Sequence, residues 1–242
     1  MSEDQISAIT EALLEAWRKM EPPDRPPKEA IVLWSDTCRK ILLSDKWGPP
    51  VPYPAAVRSS GTVNHGYVPL KLHPEALDRI PELADVPRYR EFVGTINART
   101  SPIETMGCEK HYFDVDYPET QIKFRLGSYV DVIYSNFELN FEPENLLRLA
   151  APLVASLKGC NLWWSDIELE LEMLKHLHGN RGAWGLMLVV GGYGRDQDEA
   201  EKFWNVSLDR LRSTISALPK DFPLADPNPA CPDLPPPGPP EG

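Results

Sequence analysis

Apolar residues change their spacing several times along this chain, and the clearest change lies between Gly127 and Gly159. Val130, Val132 and Tyr134 alternate with Asp131 and Ser135, the period of two expected of a strand with one buried face. Beyond Ser135-Asn136 the apolar set moves by one residue to Phe137, Leu139 and Phe141. A regular strand cannot present both sets on one side, so a bulge or short turn is expected there. Pro143 suits the first position of a helix, where a missing N–H costs nothing. Leu146, Leu149, Ala150, Leu153, Val154 and Leu157 then recur at three and four, with Gly159 as a stop and Pro152 as an internal bend or break.

The same reading carries along the chain. Ser2 and Gln5 form a capping box, and Ile6, Ile9, Leu13, Trp17 and Met20 mark a first helix ending near Met20. After the EPPDRPP break, a second helix is expected from Lys28 to about Ser44, through Ile31, Trp34, Cys38, Ile41 and Leu42, antiparallel to the first. Trp47 to Tyr67 has no steady period and reads as loop with at most a short extended piece. Short helices are expected from Pro74 to Leu83 and from Pro87 towards Asn97. His111–Val115 and Gln121–Leu126 read as strands, with Gly127-Ser128 as a two-residue hairpin turn before Tyr129.

Asn161–Trp164 suits a buried strand. In 165–178, Ile167, Leu169 and Leu171 alternate with Glu168, Glu170 and Glu172, which favours a strand with an acidic face. The Ser165/Glu168 capping pattern, the run of good helix formers and Gly179-Asn180 favour a helix, and helix is the reading adopted. Trp184–Val190 is apolar on both phases, as a central strand covered on both faces should be. A last helix is expected from about Asp196 to Leu218, with Ala200, Phe203, Trp204, Leu208, Leu211 and Ile215 on one side.

This order gives an α+β fold, with an N-terminal helical hairpin and a mixed sheet packed by helices. One domain is expected over 1–220, mainly helical over 1–100 and sheet-containing over 105–220. Residues 221–242 read as a disordered, Pro-rich acidic tail with little to bury.

Charge narrows the functions. A formal net charge of −11 argues against a nucleic-acid surface, which needs clustered Lys and Arg, and permits a basic protein partner. No cationic, apolar leader opens the sequence, and no apolar run approaches the ~18 residues that cross a bilayer. A cytoplasmic location without membrane contact is the expectation. Cys38, Cys108, Cys160 and Cys231 lack paired spacing and read as free thiols.

Three clusters could carry chemistry. Cys108, His111, Asp114 and Asp116 lie close together, and a thiol beside an imidazole could be a nucleophile; the plainer reading is a strand with Cys108 buried and His111 at the surface. His176 and His178 could share a metal only on a strand, and no third ligand is in sight, so no metal or cofactor is expected. Gly191-Gly192-Tyr193-Gly194 is superficially like a phosphate loop. Its spacing is wrong, and Asp196, Asp198 and Glu199 would repel a phosphate at the following helix, so a tight turn is expected.

The remaining candidate is a surface. Trp163 and Trp164 would point to opposite sides of a strand, leaving one as an anchor beside Asp166, Glu168, Glu170 and Glu172. The partner-binding expectation rests on Trp163 or Trp164 with Asp166, Glu168 and Glu170.

The segments ELNFEPENLLRLAAPLV, LWWSD and AWGLMLVV, in strand–helix–aromatic-strand order, resemble immunity proteins of bacterial polymorphic and type VI toxin systems. The resemblance implies a small non-enzymatic antidote that binds and blocks a cognate toxin encoded nearby. The alternative is a cysteine- or metal-dependent enzyme using Cys108 and His111.

Overall fold

A computed structural model describes residues 3–19, 29–30, 40–50, 55–57, 63–64, 66–157, 164–175 and 182–218. In chain order its elements are α1 (Glu3–Lys19), β1 (Glu29–Ala30), β2 (Lys40–Pro50), β3 (Ala56–Val57), β4 (Val63–Asn64), α2 (Pro87–Ile96), β5 (Ile103–Tyr117), β6 (Ile122–Tyr134), α3 (Pro143–Leu157), β7 (Ser165–Lys175), β8 (Ala183–Gly194) and α4 (Gln197–Ser216). Short 3₁₀ turns stand at Pro74–Arg79, Pro81–Leu83 and Phe137–Phe141.

The fold is α+β. Four strands run antiparallel in the order β7-β8-β6-β5; β2 joins β7 in parallel and β1 pairs with β2, which makes the sheet mixed. β3 and β4 form a separate two-stranded ribbon.

Alternation decides which side of the sheet is covered. Ile167, Leu169 and Leu171 of β7, Leu186, Leu188 and Val190 of β8, and Leu126, Val130 and Val132 of β6 enter one core with the apolar faces of all four helices. Trp17 of α1 meets Trp184 of β8 edge-on, with ring centroids 5.1 Å apart. Trp204 of α4, fully buried, donates its indole N–H to the Ser128 hydroxyl at 2.8 Å and packs beside Tyr89 of α2. The residues of the other phase, among them Glu168, Glu170, Tyr129 and Asp131, face away from these helices.

Several expectations are corrected. Lys40–Ser44, expected to end a second helix, belongs to β2, where Lys40 to Leu43 align with Glu168 to Leu171, so strand pairing overrides local helix preference. The expected helical hairpin therefore does not extend through Lys40–Ser44; α1 docks on α3. Ser165–Lys175, read as helix, is β7, held between β2 and β8. Gly127-Ser128 is no hairpin turn: β6 runs through it in register with both neighbours, and the chain reverses between Tyr117 and Ile122 instead. α3 continues past Pro152 without interruption.

Other expectations hold. The phase change after Ser135 is a turn into a 3₁₀ segment, Trp184–Val190 is a central strand, and Asp196 caps α4 by accepting from the Glu199 N–H at 2.8 Å. The Gly159 stop, His176, His178, the 221–242 tail, and Cys38, Cys160 and Cys231 lie outside the described residues.

Candidate functional site: an aromatic and acidic surface on the open phase of the sheet

Trp164 is the residue immediately before β7, and it is 40% exposed. It is not part of a buried strand as expected; it sits in a turn at φ 62, a left-handed conformation that costs a non-glycine residue roughly 1–2 kcal/mol. Its carbonyl accepts the Tyr193 N–H at 2.7 Å, so the ladder with β8 holds the turn in place. Trp163 lies outside the described residues.

Asp166 is committed internally. Arg125 donates to its Oδ2 at 3.0 Å, and the Tyr193 hydroxyl donates to the same oxygen at 3.3 Å. The Arg125 guanidinium lies 5.6 Å from the ring centres of both Phe113 and Tyr193, between strands β5 and β8. Burial works against the charge on Arg125, but Asp166 and Tyr193 more than offset it, so its pKa ends above the ordinary value. Burial, then Asp166, pushes the Tyr193 phenol up to about 12, so it stays a donor at neutral pH. Tyr117 closes this corner against Tyr193 at 6.3 Å.

Glycine makes this arrangement possible. A Cβ on Gly191 would lie 1.7 Å from Asp166 Oδ1, and one on Gly127 would lie 2.7 Å from an Arg125 nitrogen. The ion pair therefore crosses the sheet over two positions that carry no side chain.

Along β7 the acidic row follows. Glu168 and Glu170 are half-buried and project from the same phase as Asp166. Across β8, Glu170 aligns through Met187 with Asp131 of β6. Asp131 is only 8% exposed, and its Oδ1 has no hydrogen-bond partner. Burial raises its pKa well above the usual carboxylate range, and Glu172 and Glu170 raise it further.

The expected thiol–imidazole pair does not form. Cys108 and His111 are three apart on an unbroken stretch of β5, so they point to opposite sides. Cys108 packs against the core, where burial, then Glu82, Asp131 and Glu109, pushes its thiol up to about 12. His111 is exposed and bonded to Glu109. A partly buried thiol so weakly acidic, with the imidazole on the other side of its strand, is not an activated nucleophile. Among the described residues, no three His, Cys, Asp or Glu side chains are placed to hold a metal.

Gly191-Gly192-Tyr193-Gly194 is no tight turn but the end of β8. Its glycines let α4 approach: a Cβ on Gly192 would lie 2.3 Å from the Ala200 oxygen and the Trp204 nitrogen. Arg125, Phe113 and Tyr117, which build the aromatic corner, carry no local pattern in the sequence; the interleaving of Arg125 with Phe124 and Leu126 was the only available sign that it leaves the core face.

Among the described residues no helix is long and apolar enough to cross a membrane. No protein-family model, curated protein or solved structure matches this chain.

Proposed function

We propose that this chain is a non-enzymatic binding protein that engages a basic protein partner through the surface led by Trp164, and that the partner is a bacterial toxin which it neutralises as an immunity protein. The observation that carries the reading is Trp164 itself. A large aromatic residue is kept exposed in a costly backbone conformation, at the head of a row of acids on the sheet. Anchors of this kind supply binding energy through burial, while flanking acids speed encounter with a cationic partner. Asp166 supports the surface by fixing Arg125 and Tyr193, and Glu168 and Glu170 supply its charge. The toxin reading draws on the resemblance in the C-terminal part of the sequence, and the cytoplasm is the compartment it implies.

The test is growth rescue. The product of the gene adjacent to this one is expressed in a bacterial host, alone and with this chain. Toxicity relieved by the wild-type chain, and restored when Trp164→Ala is combined with Glu168→Lys and Glu170→Lys in a variant that still folds, is the expected result. A harmless neighbour, or rescue unchanged by that variant, would overturn the proposal.

A further inference from the structure

β5 ends the sheet, and its outer edge is protected unevenly. Towards its start, the Thr105 N–H donates to Asn97 Oδ1 at 3.1 Å, and the register with β6 slips between Thr105 and Gly107. Towards its end, the register with β6 slips between Asp114 and Tyr117. Between these two limits, Lys110 to Asp114 pair with β6 in unbroken register, and among the described residues no strand pairs on the other side. Edges are ordinarily blunted by shortness, proline, a bulge or charged side chains, and of these the stretch carries only Lys110 and Asp114 at its two ends. This strand has 15 residues and no proline, and the stretch in question lies between its two register shifts.

Two large aromatic side chains there are exposed. Tyr112 and Phe113 are 42% and 44% exposed. Lys110, Tyr112 and Asp114 share the helix-covered side, with Lys110 over the Tyr112 ring and the Tyr112 hydroxyl reaching Glu201 of α4. His111 and Phe113 share the other side, with ring centres 6.0 Å apart.

We propose that a second copy of this chain adds its β5 to this edge, antiparallel about a twofold axis at Tyr112, so that two sheets become one. The sequence is self-complementary in that register. Lys110 faces the second copy's Asp114, and Asp114 faces its Lys110; Tyr112 faces its own twin; His111 and Phe113 face each other. No like charges oppose one another between Lys110 and Asp114. The slip after Asp114 confines the pairing to these five positions in each copy, because a residue beyond Asp114 would have to face one before Lys110, so the dimer forms and separates with concentration.

Sedimentation velocity on the full chain across a wide concentration range tests this. A monomer–dimer equilibrium is expected. Lys110→Asp and Asp114→Lys should each weaken it about tenfold or more, because each replaces two attractive cross-copy pairs with two repulsive ones. The double exchange should restore it. Hydrogen exchange on the wild-type chain needs no variant: the amides of 110–114 should slow as concentration rises. A monomer at every concentration, a dimer indifferent to both single reversals, or a double variant no better than the singles would overturn the proposal. So would a dimer whose protected amides lie elsewhere.

Discussion

Arg125 and Asp166, 3.0 Å apart, form an ion pair that spans β6 to β7 by lying over Gly127 and Gly191. Both side chains are about one-fifth exposed, so the pair is partly shielded from water. Gly191→Ala places a methyl group on Asp166 Oδ1 and must displace the carboxylate, leaving Arg125 half-buried without its partner. The expected cost is about 1–3 kcal/mol. Gly192→Ala meets the backbone of α4 rather than a movable side chain, and should cost more. Urea denaturation of the two variants checks the order; equal stabilities would contradict it.

Asp131 gives the protein a pH dependence of known sign. Its folded-state pKa is raised by burial and by Glu172 and Glu170, so its favourable contribution is complete below the unfolded carboxylate value and is lost as pH rises through the folded value. Asp131→Asn removes the cost of a buried carboxylate with one unpartnered oxygen. The variant should melt higher than wild type at neutral pH, with the difference shrinking as pH falls. Melting curves from pH 4 to 8 measure it, and a variant less stable at pH 7 would show that the carboxylate has a partner worth keeping.

What the sequence revealed, and what it hid, follows from how far apart the deciding residues are. β8 was legible because Trp184 to Val190 is apolar on both phases, and α4 because its apolar stripe and Asp196 cap are local signals. β7 carried both signals. The alternation of Ile167, Leu169 and Leu171 with glutamates was the true one, and helix preference prevailed only because β2 and β8, which flank it, cannot be seen from within the segment. Gly127 looked like a turn residue, yet its role is to let Arg125 lie across the sheet. The real reversal before Ile122 places Gln121 at φ 58, where a glycine would have announced it. That one Trp of the pair could be exposed was legible in the sequence; that Asp166 is held by Arg125, 41 residues away, was not.

Cys108 should be slow to react. With its thiol pushed up to about 12 by burial and neighbouring acids, its thiolate fraction at pH 8 is roughly a thousandfold below that of an ordinary cysteine. Alkylation by iodoacetamide, followed at the Cys108 peptide by mass spectrometry, should be slower by about tenfold or more in the native chain than in urea. Native labelling as fast as denatured labelling would restore the thiol as a candidate for chemistry.

Trp164 and Trp204 separate binding from folding. Trp204 is fully buried, bonded to Ser128 and packed beside Tyr89, so Trp204→Ala should cost about 3–5 kcal/mol and leave little folded protein at physiological temperature. Trp164 is 40% exposed, and its backbone, not its ring, is what Tyr193 holds. Trp164→Ala should therefore keep the circular dichroism spectrum of the wild type and melt within a few degrees of it. Trp164→Gly also relieves the left-handed backbone, and should be more stable than the alanine variant by about 1 kcal/mol. If Trp164→Ala unfolds as Trp204→Ala does, the ring is part of the core and the partner surface must be sought elsewhere. A folded Trp164→Ala variant that binds the partner undiminished would lead to the same conclusion by the opposite route.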